Sequence, residues 1–423
     1  MRGLQTAVLS SLIGAALATP VEKTEKVEKR QWSWKNVVIR NGAYPLDVVD
    51  KLEEATIPKV EAWMAKKPKT KCTLETAAIR REWSDLSIAD REDYIKAVLC
   101  LQSKPAKAPK DKVPGALSRF DDFVATHMTT VGPLHSPAQL FGGHRYYIWA
   151  YEKALREECG YKGYQPYMNY DRYAQDPINS PMFNGNATSM GGNGAKHNYP
   201  GVNTGMRRPY DKIPQAGAGG CVTEGPFKNM VVSLGPMSSV VRDIPRNPRS
   251  DGMGSNPRCL RRDVNRESAL GATANYTYSA IMDNPDINAF YNRYLGQPQL
   301  QNDRHPWGLH NAGHYIHGGD PGGDFYCSPG DPAFYFHHGM LDRVWWIWQM
   351  QDPDKRVGMI PTGAMPGMPG MPGMGGFPGM GMGGGANSDP SVIDLNWSAP
   401  KVKLIDVHDT LGGLDGEMCY MYV

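Results

Sequence analysis

Six histidines fall in two clusters, and their spacing limits the folds open to this chain more than any other feature in it. The first cluster is His127, His135 and His144; the second is His310, His314 and His338. Four residues separate His310 from His314. On a helix that interval stacks two side chains on one face, one turn apart. His338 and Asp342 repeat the interval. The carboxylate is therefore expected to take the free ring N–H of His338 and fix its tautomer. Residues 118–130 read as a helix carrying His127, stopped at Gly132 and Pro133, which leaves His135 on a loop. Residues 137–158 read as a second helix with His144, 307–317 as a third, and 331–351 as a fourth. Imidazoles converging from four helices predict a mainly α protein: a four-helix bundle with long irregular loops and a few short strands.

Three neutral imidazoles per ion, with no thiolate or carboxylate, suit copper or zinc better than calcium or magnesium. Two such triads predict a dinuclear site, with two copper ions as cofactor. On spacing alone His317 can replace His314. His337 adjoins His338 but points about 100° away on a helix, so it is expected to be packed or hydrogen-bonded. His197, His305 and His408 fall in loop sequence and are expected to be solvated.

The stretch DPAFYFHHGMLDRVWWIWQ resembles the second copper signature of the tyrosinase and catechol oxidase family. Asp331, Pro332, Phe334, Tyr335, His338 and Asp342 fit that signature. In the first signature His135, His144, Arg145 and Glu152 fit. Leu140 stands where Phe is usual, and Gly143 where Phe or Trp is usual. The resemblance runs from about residue 118 to 349, and Tyr420-Met421-Tyr422 is similar to the family's closing tyrosine motif. It favours His314 over His317 as ligand. It implies a short secreted fungal-type polyphenol oxidase, taking O2 and small phenols and oxidising o-diphenols to o-quinones. Full tyrosinase or o-aminophenol oxidase activity remains open, and so does the different class of a haemocyanin-like O2 carrier.

The resemblance also implies roles for neighbours of the ligands. Asn311 follows a ligand directly and stands where the family holds a water that accepts a phenolic proton. Gln301 is the candidate partner for that water, where Glu is more usual in monophenol-hydroxylating members. Phe325 stands where the family places a gate over the second copper, and Gly143 is expected to open space beside the first. Tyr315, next to His314, is expected to contact substrate. In members with a Cys–His thioether the cysteine lies two residues before the middle ligand of the first triad. Here that position is Pro133, so His135 is expected to be unmodified.

The start of the chain reads as a secretory signal. Arg2 gives a positive start, an apolar run follows, and Ala16-Leu17-Ala18 is a small-x-small cleavage site. The expected division is signal peptide 1–18, propeptide 19–30 ending in Lys29-Arg30, and one catalytic domain over 31–423. Sequons at Asn186, Asn275 and Asn396 agree with secretion. Seven cysteines predict disulfides and at least one unpaired thiol. Cys72–Cys100 and Cys221–Cys259 are the expected pairs, with Cys419 either free or joined to Cys159 or Cys327. The net charge is +3, with both signs spread along the chain and no basic patch for nucleic acid. No apolar run is long enough to span a bilayer, and a monomer is expected.

Residues 44–66 and 74–101 have helical apolar spacing, 160–300 is loop-rich, and 391–423 reads as short closing strands. Residues 358–386 are a Met/Gly/Pro-rich loop inside the domain. Pro and Gly at that density hold neither helix nor strand. The bland reading is an expanded linker; the sharper one is a thioether strand that acquires Cu(I).

Overall fold

Side-chain caps set several helix starts. In α1 (Val48–Lys66) the Asp47 carboxylate accepts the N–H groups of Val49 and Asp50 at 2.7 and 2.8 Å. Ser87 caps α2 (Ile88–Ser103) in the same way. α3 (Arg119–Leu134) opens with a capping box: the Asp121 N–H donates to the Ser118 hydroxyl, and the Ser118 N–H to the Asp121 carboxylate. A cap of this kind contributes about 1 kcal/mol. α4 (Leu140–Cys159) stops at Gly160, whose φ of 73° is left-handed and suits glycine. Two single turns follow, α5 (Tyr170–Tyr173) and α6 (Arg266–Ala269), then α7 (Ala274–Met282), α8 (Ile287–Leu295), α9 (Gly308–His317) and α10 (Ala333–Met350).

The computed structural model describes residues 39–68, 70–198, 200–204, 208–237, 244–296, 305–362 and 389–423. The expected signal peptide and propeptide, Gln301, and residues 363–386 of the Met-rich segment lie outside the described residues. The protein is mainly α. Every residue of α10 is buried, so this helix is the centre of the core. It packs against α4 on one side and α9 on another, while α3 packs on α4. The four histidine-bearing helices thus touch in the order α3, α4, α10, α9. Among the described residues no helix is long and apolar enough to cross a membrane.

Strands are short and peripheral. Met418–Tyr422 runs parallel to Ala78–Arg80, with Ala78 opposite Tyr420 and Arg80 opposite Tyr422, and antiparallel to Leu411–Gly412. That pairing corrects the helix expected over 74–101: Ala78–Arg80 is strand, Trp83–Asp85 is a 3₁₀ turn, and helix starts only at Ile88. A partner strand more than 300 residues away in sequence, joined through Cys72–Cys419, overrides local apolar spacing.

The disulfides are Cys72–Cys419, Cys100–Cys159 and Cys221–Cys259. The expected Cys72–Cys100 pair is wrong, because Cys100 instead fastens α2 to the last residue of α4. The Cys221–Cys259 pair is as expected. Cys419 is bonded, and the unpaired cysteine is the buried Cys327. The loop-rich 160–300 stretch hides two nine-residue helices, α7 and α8. The Asp286 cap, whose carboxylate accepts from Asn288 and Ala289, was the available signal for α8.

Candidate dinuclear metal centre

α3 delivers His127, and His135 is the residue that ends the same helix. The helix runs through Gly132 and Pro133 to Leu134, so the expected break comes later and His135 sits on the helix end rather than on a free loop. α4 delivers His144, α9 delivers His310 and His314, and α10 delivers His338. The ring nitrogens of His127, His135 and His144 lie within 4.8 Å of one another, and those of His310, His314 and His338 do the same. The triads face each other: the His144 ring stacks on His338 at 4.4 Å, and the His135 ring lies 5.8 Å from His310. Geometry therefore selects His314, and His317 stays outside the triad.

Hydrogen bonds fix which nitrogen is free. His127 Nδ1–H donates to the Tyr326 carbonyl at 2.7 Å, His135 to Val131 and His144 to Leu140, each at 2.8 Å. A carbonyl only accepts, so each Nδ1 carries the proton and each Nε2 keeps a lone pair. His310 Nδ1 is held by the Asn311 side-chain oxygen at 3.2 Å. The Nε2 atoms of His127, His144 and His310 are buried and lack a hydrogen-bond partner among the described residues. His338 Nε2 and His314 Nε2 are 3.3 Å apart. Orphaned, converging lone pairs are costly in a protein interior unless a cation lies between them. The donor set fits copper, two ions with three imidazoles each.

Burial keeps the rings neutral. It pushes His127 and His310 down to about 4 and the other four well below the ordinary histidine value. A neutral ring is the form that ligates.

Asp342 does not do what its spacing suggests. Its carboxylate accepts from Arg145 at 2.6 Å, Arg80 at 3.3 Å, Tyr420 at 2.6 Å and Tyr422 at 2.7 Å. His338 Nδ1 has no partner among the described residues. Two buried arginines outcompete an imidazole for the anion. The tyrosine motif and Arg145 thus meet at one carboxylate at the rear of α10. Asp331 anchors the N-terminal end of that helix: it pairs with Arg262 through both oxygens at 2.7 and 2.6 Å and accepts the Ala333 N–H at 2.9 Å. Phe334 packs its ring 4.2 Å from His338 and 5.4 Å from His127, between the triads.

Other expected site residues fall as follows. Phe325 places its ring 4.5 Å from His135, against the first triad, where the expectation put it over the second. Asn311 uses both ends of its amide, the oxygen on His310 and the nitrogen on the Leu295 carbonyl at 3.2 Å. A Cβ on Gly143 would meet Leu134 at 2.7 Å, so this glycine lets α4 close on the end of α3 and opens no space. Tyr315, on α9, is half-buried, and burial raises its hydroxyl to about 12. His337 is packed as expected, with Nδ1 bonded to the Tyr170 hydroxyl. His408 corrects the solvated reading: it is buried beside Trp345, with both ring nitrogens unpartnered among the described residues. Arg80 was missed, since nothing in its local sequence marks a partner on α10.

Residues 117–351 match the common central domain of tyrosinase. The chain belongs to the tyrosinase family. It is 38% identical over 300 residues to the tyrosinase-like protein orsC of Emericella nidulans, covering 67% of this chain and 77% of that one. Over 359 residues it is 32% identical to the N-acetyl-6-hydroxytryptophan oxidase ivoB of the same organism, covering 83% and 93%. A polyphenol oxidase variant from Thermothelomyces thermophila shares the fold, with a TM-score of 0.75 and 36% identity over 88% of this chain and 97% of that one. The protein is thus a tyrosinase-family copper oxidase whose two histidine triads are positioned for two copper ions.

Proposed function

We propose that the chain oxidises o-diphenols to o-quinones with O2 as electron acceptor, and hydroxylates monophenols slowly and after a lag. The observation that carries this reading is the facing pair of neutral imidazole triads. His127, His135 and His144 would hold one copper and His310, His314 and His338 the other. Bound copper would supply the electron exchange between phenol and O2. The chain's residues do the rest. Tyr326, Val131 and Leu140 carbonyls and the Asn311 amide aim the Nε2 atoms. Phe334 and Phe325 pack their rings against His338 and His135.

A catechol would need only to bring both oxygens between the two triads. A monophenol also needs its proton removed and its ring swung inward. Asn311 is engaged at both ends, which weakens it as a holder of the proton-accepting water. Gln301, its proposed partner, is a neutral amide. The Phe325 ring against His135 narrows the approach. These features together support diphenol oxidation as the main activity. The name of the ivoB relative supports a second reading, a hydroxyindole substrate. Secretion is part of the proposal, supported by three disulfides.

Oxygen consumption by copper-loaded protein tests the reading with catechol, tyrosol, o-aminophenol and a hydroxyindole. Catechol is expected to turn over fastest, and tyrosol slowly with a lag. Tyrosol oxidised as readily as catechol would contradict the proposal. Reversible O2 uptake with no catechol turnover would instead mark a carrier.

A further inference from the structure

α1 and α7 leave a groove of about 590 Å³ between them, lined by Val48, Lys51, Leu52, Ala55, Asn275 and Tyr278. Of these, Val48 and Tyr278 are exposed large apolar side chains. Asn275 is exposed and belongs to the sequon Asn275-Tyr276-Thr277. On α7, Asn275 and Tyr278 are three residues apart and so share a face. The third sequon position carries a separate signal. Thr277 is fully buried, and its hydroxyl has no hydrogen-bond partner among the described residues. A buried, unsatisfied hydroxyl is a cost that valine would avoid at the same volume. The fold has no use for this oxygen, whereas N-glycosylation requires it.

The other two sequons lack that separation. Thr188 bonds its hydroxyl to Asn186 at 3.2 Å, and Ser398 pairs with Thr126 at 2.7 Å. The Asn396 side-chain nitrogen is itself engaged, donating to Thr129 at 2.8 Å.

We infer that Asn275 carries an N-linked glycan whose first sugar lies on Tyr278 and covers the α1–α7 groove. The Asn275 Nδ2 bonds the anomeric carbon of an N-acetylhexosamine donated by a lipid-diphosphate oligosaccharide. The bond from that carbon to the diphosphate breaks, and one Nδ2 proton leaves with the diphosphate. The apolar ring faces of sugar and tyrosine then exclude water from each other. The inference rests on the reading of the chain as secreted.

The full chain is secreted from a glycosylating eukaryotic host as wild type, Thr277→Ser, Thr277→Val and Asn275→Gln. Peptide masses are expected to show hexosamine on Asn275 in wild type and Thr277→Ser, and none in the other two. Amide exchange over 48–55 and 275–282 is expected to speed up at least twofold in Asn275→Gln. Made in a host without N-glycosylation, Thr277→Val is expected to melt above wild type by about 2 °C. Protein in the medium with three disulfides but bare Asn275 would overturn the inference alone, as would exchange unchanged by Asn275→Gln or a lower melting point for Thr277→Val. Chain found only inside cells with reduced thiols would overturn the secretion reading with it.

Discussion

His337 and His338 are chemically identical neighbours with opposite fates. The step of about 100° between neighbours on α10 aims His338 at His314 and His144, and sends His337 to Tyr170. His338→Ala is expected to lose copper from the second triad, and His337→Ala to keep both ions, each read by elemental analysis. Copper lost from the His337 variant alone would reverse the assignment. Phe325→Gly is expected to raise the ratio of monophenol to diphenol rate severalfold, at a cost of about 3 kcal/mol in stability for the lost ring. An unchanged ratio would mean that Phe325 does not control access. Helical spacing made this contrast legible in the sequence, because the faces of a helix are set by geometry alone. Asp342 was misread by the same rule. Spacing says which side chains lie one turn apart, but the bond is decided by Arg80 and Arg145, which local sequence does not place there.

At the scale of elements, the C-terminal strand is bolted to α10. Tyr420, Tyr422, Arg80 and Arg145 converge on Asp342. Burial alone would raise that carboxyl; Arg145 and Arg80 reverse the effect and hold it below the ordinary carboxylate value. A depressed folded value adds stability that is complete above the unfolded value, roughly pH 4, and lost as pH falls through the folded one. Asp342→Asn is expected to cost about 3–5 kcal/mol at neutral pH, since it leaves the buried Arg145 without its carboxylate, while Arg80 keeps Glu152 at 3.0 Å. It should also flatten the stability profile below about pH 4. Equal stability of variant and parent at pH 7 in denaturant titration would refute the bolt. Tyr422→Phe is expected to cost about 1.5–3 kcal/mol. The four ligand helices were legible because long apolar periods announce them. Ala78–Arg80 was not, because a three-residue strand exists only through its distant partner.

For the whole molecule, three disulfides tie α2 to α4, the C-terminal strand to the segment after α1, and the loop region to itself. Pairing could not be deduced from spacing, since folding brings together cysteines up to 347 residues apart. Cys327 is left buried, with its thiol raised by burial. A thiol reagent is expected to find none in the native protein and one per chain in denaturant, without reduction; three would break the pairing. The central claim, a pair of copper ions between two neutral triads, is tested most directly by metal analysis of the purified, copper-loaded chain. The account predicts two coppers per chain, falling to one or none in His310→Ala. One copper in the parent protein, or zinc alone after copper loading, would contradict it.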